Sequence, residues 1–236
     1  MSQPVLYLIP TPLGTADIPC LLPHEQALIV HLSDFVVEAE KTARAHLKAF
    51  GLARPIRELN LQTLNEHTAA TTVPTLLAPL RAGRSIGLMS EAGCPAVADP
   101  GAQLVVLAHA EGFAVQPLVG PSSIMLALMA SGANGQQFAF KGYLPADKEA
   151  RATSLRALER HVQKTHETQL FIETPYRNDA LLTDAIGLLH AETRLCIAAD
   201  LTLPTQLIIS QPVAAWRRMA KLPELKKRPC LFVLYA

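Results

Sequence analysis

The first half of the chain alternates short apolar runs, rich in β-branched residues, with stretches whose apolar positions follow helical spacing. Five runs predict strands: Val5–Ile9, Phe35–Glu38, Ile56–Leu59, Ser85–Met89 and Ala114–Leu118. Three stretches with i, i+3, i+4 apolar spacing predict helices: Glu25–Leu32, Thr42–Phe50 and Gly101–His109. Gly51 and Gly112 follow two of these helices, where a helix end favours a left-handed residue. Strands and helices in alternation predict a parallel, doubly wound sheet.

The pattern changes after the segment Pro117–Ser123, which has the composition of a hinge and then opens an apolar helix. Later strands are predicted at Gln137–Lys141, Thr168–Ile172, Arg194–Ala199, Gln206–Ser210 and Cys230–Tyr235. Later helices are predicted at Lys148–Lys164, Tyr176–Leu189 and Pro212–Met219. The third and fourth of these strands are joined by only a few residues, which favours an antiparallel pair. We therefore predict two α/β domains, residues 1–119 and 120–236, the second with a mixed sheet.

Composition narrows the class of protein. Of the 236 residues, 50% are hydrophobic and 17% are charged, which indicates a folded globular chain. No apolar run approaches the ~18 residues that a membrane span needs, and the N-terminus lacks the features of a signal peptide. The four cysteines are scattered without a C-x-x-C pair, which argues against a zinc site or a disulfide framework. We expect a soluble, cytoplasmic protein with no membrane partner.

Several common catalytic motifs are missing. The sequence has no G-x-G-x-x-G or P-loop for a nucleotide and no G-x-S-x-G elbow for a serine hydrolase. Its eight histidines include no H-E-x-x-H pair or other ligand spacing. Metal chemistry and triad hydrolysis are therefore not expected, and no metal site is predicted.

Four predicted strands end in loops rich in proline, glycine and small polar residues: Pro10–Gly14, Ser90–Pro95, Gly120–Ser123 and Glu173–Arg177. Ligands of open α/β sheets bind at the carboxyl ends of the strands. Small residues allow the backbone to approach a ligand closely, and a helix N-terminus offers free N–H groups to an anion. Any one of these loops could be an ordinary turn, since the same residues form turns everywhere.

These loops carry a resemblance to a known family. The matching stretches are Leu6–Gly14, Leu88–Pro95 with Asp99–Gly101, Pro117–Ser122, Lys141–Pro145 and Phe171–Arg177. In this order and spacing they resemble the tetrapyrrole methylase superfamily, and within it the enzymes that 2′-O-methylate a cytidine of 16S rRNA. The resemblance spans nearly the whole chain. It implies S-adenosylmethionine-dependent methyl transfer, two α/β domains with the cofactor in the cleft between them, and a homodimer.

The same resemblance implies which residues contact S-adenosylmethionine. They are Pro10, Leu13, Gly14, Ser90, Glu91, Gly93, Cys94, Pro121, Ser122, Ser123, Phe171 and Thr202. Ser122 and Ser123 are assigned to the methionine carboxylate or amino end, through backbone and hydroxyl hydrogen bonds.

Three motifs depart from the pattern of the family. Glu-Asp-Thr-Arg after the second strand reads Glu40–Ala43, so its Asp and Arg are absent at these positions. Ser-Asp-Ala-Gly-Thr-Pro reads Ser90–Pro95, with a glutamate at position 91, and Arg-Glu-Leu-Thr reads Ala199–Thr202. A different methyl acceptor would produce such departures, and so would loss of activity in an RNA-binding relative.

A ribose hydroxyl is a weak acid, so 2′-O-transfer benefits from a general base within ~3 Å. Glu40, Glu66 and Glu173 are the candidates, and Glu173 is favoured because it directly follows a predicted strand. The alternative role of Glu173 is an exposed i,i+4 ion pair with Arg177, worth only ~0.3–0.5 kcal/mol. We predict Glu173, Arg177 and Glu40 as the catalytic set.

An RNA substrate requires positive charge near the site. The net charge is +1, but residues 1–120 carry 7 basic and 10 acidic side chains, whereas residues 121–236 carry 14 and 10. Basic residues form a stripe at Arg156, Arg160 and Lys164 and a cluster at Arg217, Arg218, Lys221, Lys226, Lys227 and Arg228. Solvated surface is the plain alternative for both groups. Few aromatic residues are available for base stacking, so recognition of single-stranded RNA by aromatic platforms is not expected.

The expected partner is therefore rRNA or the small ribosomal subunit. A carbon atom of a tetrapyrrole, in a corrin or porphyrin precursor, is the alternative methyl acceptor, because such substrates carry many carboxylates that basic residues would also attract.

Overall fold

The computed structural model describes residues 3–15, 17 and 20–236. The chain divides into two compact units, Met1–Ser122 and Ser123–Ala236. The described part of the chain contains no helix that is long and apolar enough to cross a membrane.

The first unit is built on a five-stranded parallel sheet. Its strands are β1 (Val5–Leu8), β2 (Asp34–Val37), β3 (Asn60–Thr63), β4 (Ile86–Met89) and β5 (Ala114–Pro117). They lie in the order β3-β2-β4-β1-β5, and every neighbouring pair is parallel. The prediction of a parallel sheet is confirmed.

Apolar layers cover both faces of this sheet. The helices are α1 (Pro23–Ile29), α2 (Glu40–Phe50), α3 (Ala78–Arg81) and α4 (Gly101–Ala110). On one face, side chains of α1 and α2 pack against Phe35, Val37 and Met89. On the other face, side chains of α4 pack against Val36 and Leu88. Alternate residues of each strand point to opposite faces, so the four residues of β2 and of β4 are all buried.

One predicted strand of the first unit is wrong. Ile56–Glu58 is a short 3₁₀ helix, and the strand β3 follows it at Asn60–Thr63. Pro55 precedes the turn with φ −57°, a value that suits the start of a helical turn. β3 lies at the edge of the sheet and alternates little between apolar and polar residues, so the pattern gave no signal for it. The 3₁₀ helix Val73–Leu77 that leads into α3 was also not predicted.

The second unit has a mixed sheet, as predicted. Its strands are β6 (Phe138–Tyr143), β7 (Thr168–Ile172), β8 (Arg194–Ala199), β9 (Leu207–Pro212) and β10 (Cys230–Tyr235). They lie in the order β6-β7-β10-β8-β9. Only β6 and β7 are parallel, and β8 and β9 form the antiparallel pair that their short connection indicated.

The helices of the second unit are α5 (Ser123–Ser131), α6 (Lys148–Thr165), α7 (Asn178–Leu188) and α8 (Val213–Arg217). Asp147 caps α6 by accepting a hydrogen bond from the Ala150 amide at 2.8 Å. Leu155 and Val162 of α6 are buried in the core with Phe171, Phe232 and others. The basic stripe predicted on α6 is exposed: Arg156, Arg160 and Lys164.

Candidate active site

The loops that follow β1 and β4 meet at the switch point of the first sheet. These strands are neighbours, but the chain leaves β1 toward α1 on one face and leaves β4 toward α4 on the other. Thr11 and Gly93 join the two loops: the Thr11 amide donates to the Gly93 carbonyl at 2.9 Å, and the Gly93 amide donates back at 3.0 Å. Two loops at the place where α/β sheets bind ligands are therefore fixed to each other by backbone hydrogen bonds.

The loop after β5 packs against both of them. The Cys94 thiol donates to the Pro121 carbonyl at 3.4 Å. A Cβ on Gly120 would lie 2.2 Å from the Cβ of Pro10, so only glycine allows this approach. Gly93 has a φ of +80°, and a Cβ at this position would lie 3.1 Å from Leu13 Cδ2. Three loops of the first unit thus bring together eight residues of the predicted cofactor site: Pro10, Leu13, Gly14, Ser90, Glu91, Gly93, Cys94 and Pro121.

The N-terminal turn of α2 is tied to the same loops. The Glu91 amide donates to Glu38 Oε2 at 3.0 Å, and Thr42 Oγ1 donates to Glu91 Oε1 at 3.3 Å. His46 Nε2 lies 3.3 Å from the Glu91 carbonyl oxygen. Sequence reasoning did not include Glu38 in the site, although it directly follows a strand of the parallel sheet.

This edge of the first sheet carries negative charge. Burial raises the pKa of Glu38, and the nearby carboxylates of Asp99, Glu91 and Glu66 raise it further. Burial also raises the pKa of Asp99, although its carboxylate accepts hydrogen bonds from the Ala96 and Gly101 amides. Glu38, Glu91 and Asp99 form no ion pair with any described residue. The edge therefore suits a ligand with a positive group.

Two of the three candidate bases lie at the surface. Glu40 begins α2 and pairs with Arg44 at 3.0 Å, with both side chains about half exposed. Glu66 is exposed, and its Oε1 lies 3.5 Å from Nε2 of the neighbouring His67. Neither side chain makes a hydrogen bond to the three loops among the described residues.

Glu173 differs from both, because its side chain is 0% exposed at the carboxyl end of β7. Its Oε1 accepts hydrogen bonds from Arg177 Nη2 and from the Thr174 amide, each at 2.6 Å. Its Oε2 has no partner among the described residues. The predicted pairing with Arg177 is present, but the expectation that the pair is exposed is wrong for the glutamate; only Arg177, 41% exposed, reaches solvent.

A second ion pair lies in the connections at this edge of the sheet. Arg228 Nε donates to Asp200 Oδ2 at 2.8 Å, and Thr205 Oγ1 donates to the same oxygen at 2.9 Å. Arg217 donates to the Ile186 and Leu189 carbonyls. Two arginines of the predicted basic cluster are therefore engaged within the unit.

The remaining predicted cofactor residues lie in different settings. Ser122 precedes α5 and Ser123 begins it. Phe171 is fully buried and stacks on Phe232 with ring centroids 5.6 Å apart, so its side chain belongs to the core. Thr202 is exposed in the loop after β8, where its φ is +72° and its amide donates to Gln206 Oε1 at 2.9 Å. No group of three metal-binding side chains occurs in the residues that the structure describes.

Several solved structures share this fold. The cobalamin biosynthetic enzyme cobalt precorrin-4 methyltransferase, CbiF, matches with a TM-score of 0.61 at 15% identity, over 98% of this chain and 94% of that one. The methyltransferase CobJ matches with a TM-score of 0.62 at 18% identity over the full length of both chains. Diphthine synthase matches with a TM-score of 0.67 at 11% identity, over 98% of this chain and 89% of that one. At these identities the likeness shows the fold alone.

Curated relatives define the family. The ribosomal RNA small subunit methyltransferase I of Vibrio cholerae is 33% identical over 218 residues, covering 90% of this chain and 70% of the relative. That of Escherichia coli O157:H7 is 34% identical over 221 residues, covering 91% and 72%. No family model matches the chain. The chain belongs to the ribosomal RNA small subunit methyltransferase I family and is a methyltransferase, which confirms the resemblance drawn from its motifs.

Proposed function

We propose that this protein transfers a methyl group from S-adenosylmethionine to a ribose 2′-hydroxyl of 16S rRNA. The observation that carries the proposal is the identity to ribosomal RNA small subunit methyltransferases I over 90% of the chain, which spans both units. The negatively charged edge of the first sheet and the buried glutamate at the end of β7 are consistent with it. Because the proposed substrate is ribosomal, we also propose a cytoplasmic location.

The residues present fit the methyl donor. The carboxylates of Glu38, Glu91 and Asp99 have no internal cation among the described residues, and the donor carries a sulfonium and an ammonium group. Ser122 and Ser123 lie at the start of α5, where N–H groups at a helix N-terminus favour the donor carboxylate. When bound, S-adenosylmethionine supplies a methyl group that is already activated on sulfur.

Glu173 serves as the base in this proposal. Glu173 Oε2 would take up the hydroxyl proton as the ribose oxygen accepts the methyl group that the donor, when bound, would supply. Arg177 and the Thr174 amide hold the other carboxylate oxygen, so the carboxylate keeps one orientation. Holding the acceptor at a near-attack distance of ~3–3.5 Å supplies most of the remaining catalysis.

Two experiments in sequence test the proposal. Isothermal titration with S-adenosylmethionine comes first, and absence of binding would contradict every reading as a methyltransferase that uses this donor. Transfer of labelled methyl from that donor is then measured on 30S subunits that lack the ribose modification, and on a uroporphyrinogen-type substrate. Label in the rRNA, in a nuclease-resistant 2′-O-methylated dinucleotide, supports the proposal.

Label in the tetrapyrrole alone would instead assign the alternative acceptor. Donor binding without transfer to either substrate would identify a relative that binds but does not catalyse. We also propose a homodimer, as the resemblance implies. Sedimentation equilibrium tests it, and a mass near the 25.5 kDa of one chain at micromolar concentration would contradict it.

A further inference from the structure

Two exposed tyrosines lie at the carboxyl edge of the second sheet. Tyr143 is the last residue of β6 and pairs in register with Ile172, the last residue of β7; its exposure is 62%. Tyr176 follows three residues after Glu173 and is 71% exposed. Because β6 and β7 are parallel, both rings lie at the edge that carries the Glu173–Arg177 pair. The chain has few aromatic residues, but two of them are available where the substrate is proposed to bind.

Two lysines are fixed beside this segment. The Lys227 amide donates to the Pro175 carbonyl at 2.8 Å, and Asn178 Nδ2 donates to the Arg228 carbonyl at 2.8 Å. Lys227 has a left-handed φ of +64°, a costly conformation for a lysine that its surroundings must maintain. The backbone that carries the lysines is thus pinned to the backbone that carries Tyr176.

The charges of Lys226 and Lys227 remain available. Both side chains are exposed, and neither forms an ion pair within the described part of the chain. Arg228 next to them is engaged with Asp200 and with the Thr205 carbonyl. The predicted basic cluster is therefore reduced to these two lysines at this point of the surface.

Buried polar atoms in the same segment lack partners. Glu173 Oε2, Arg177 Nε and Asn178 Oδ1 are all inaccessible, and none has a hydrogen bond within the described residues. Together they offer two acceptors and one donor in six consecutive residues. Unsatisfied buried groups of this kind are rare in folded proteins, and ordered water or a bound polar ligand satisfies them. Hydroxyl groups, which both donate and accept, match this set.

We propose that Tyr143, Tyr176, Lys226 and Lys227 form a binding surface for single-stranded RNA, here named the tyrosine–lysine edge. Bases stack on the tyrosine rings and phosphates contact the lysines, which brings the ribose next to the segment that carries Glu173. A duplex fits poorly, because its bases are already stacked, whereas unpaired bases can splay onto aromatic side chains. This inference deepens the proposed function and rests on it.

Charge favours RNA over a second copy of the chain as the occupant. Charged residues are depleted in the buried centres of protein interfaces, and lysine is among the most depleted. Burying Lys226 and Lys227 without partners would cost free energy, whereas phosphates neutralise them.

Fluorescence anisotropy on the full chain tests the proposal, with a labelled 12-nucleotide single-stranded RNA and the same strand annealed to its complement. We expect tighter binding of the single strand. Y176A lowers that affinity by about tenfold, and Y176F, which keeps the ring, restores it. K226E/K227E lowers affinity and reduces the slope of log K against log salt by about 1.4, the value for two phosphate contacts.

The matched control is K48E/R54E, which makes the same change in net charge at exposed positions of the first unit. It is expected to stay within twofold of the wild type. Equal affinity for the duplex, an unchanged Y176A variant, or equal losses in the two charge variants would each overturn the proposal. A Y176A variant that instead changes mass in sedimentation would assign the edge to contact between copies of the chain.

Titration with S-adenosylmethionine separates this proposal from the proposed function. Variants of the tyrosine–lysine edge that lose RNA affinity but bind the donor normally support the inference. Wild-type protein that binds single-stranded RNA in the expected way but never transfers methyl would uphold the tyrosine–lysine edge and contradict the proposed activity.

Discussion

In each unit, the loops at the carboxyl edge of the sheet are joined to one another, but the contacts that join them differ between the two units. In the first unit, backbone groups join the loops: Thr11 and Gly93 exchange two hydrogen bonds, and Gly120 packs on Pro10. In the second unit, a backbone hydrogen bond from Lys227 to Pro175 is joined by two ion pairs between side chains, Glu173–Arg177 and Asp200–Arg228. A backbone cradle suits a ligand that all members of a fold share, whereas side-chain networks are easily varied and suit a substrate that differs between families.

Backbone strain marks both edges. Six described residues other than glycine have a positive φ: Ala96, Ala98, His166, Asp200, Thr202 and Lys227. Five of them lie in the loops at these two edges, and His166 ends α6. Such conformations cost about 1–3 kcal/mol each and cluster at functional sites. The strain is therefore concentrated at the two surfaces to which the donor and the acceptor are assigned.

The largest expected effect comes from removing the proposed base. Glu173→Gln keeps the size of the side chain and the hydrogen bond to Arg177, but it cannot take up the proton. Methyl transfer is expected to fall by about 10²- to 10⁴-fold. S-adenosylmethionine binding by calorimetry should stay unchanged, because the first unit supplies the carboxylates assigned to the donor.

A second variant shows whether the loss is specific to Glu173. Glu40→Gln, in the exposed pair with Arg44, tests the other predicted catalytic glutamate, whose side chain makes no hydrogen bond to the three loops within the described residues. If Glu173→Gln retains full turnover and Glu40→Gln does not, the assignment of the base is reversed.

The next largest expected effect is a loss of stability when the Asp200–Arg228 ion pair at the carboxyl edge of the second sheet is removed. Arg228→Ala leaves the nearly buried Asp200 without its ion-pair partner and removes the hydrogen bond to the Thr205 carbonyl. The free energy of unfolding should fall by about 2–3 kcal/mol, below the range for a fully buried pair because Arg228 is partly exposed. Urea denaturation measures this loss, and Arg218→Ala, at an exposed position, is the control. If Arg228→Ala and Arg218→Ala unfold at the same urea midpoint, the ion pair does not stabilise the unit.

The first edge is tested by adding one carbon atom. Gly120→Ala places a Cβ at 2.2 Å from Pro10, so the loop after β5 must move, at a cost of about 1–3 kcal/mol. Donor affinity should fall with stability, since the same loop carries Pro121 and Ser122. Gly135→Ala is the control, because a Cβ there meets nothing within 4 Å. A Gly120→Ala variant with normal donor binding would show that this loop does not contact the donor.

The same contrast explains what the sequence could predict. Gly93, Gly120 and Pro10 are signals readable along the chain, so the loops of the first edge were found in advance. Asp200 and Arg228 are 28 residues apart, and no local pattern predicts that they meet. Glu38 was missed because it was read as the end of a strand, although strand ends of a parallel sheet share one edge. The burial of Glu173 depends on packing around β7, so a single sequence suggested an exposed pair.

The smallest effect is a dependence of stability on pH at the first edge. The pKa of Glu38 is raised above its usual value of 4.5, mainly by burial, so the folded state holds this proton more tightly than the unfolded chain. The contribution of Glu38 to stability therefore falls as pH rises above about 4.5. Glu38→Gln should gain stability relative to the wild type between pH 4 and pH 7, while its donor affinity falls a few-fold. Thermal unfolding across this range measures the gain, and parallel pH curves for the two proteins would contradict the account of negative charge at this edge.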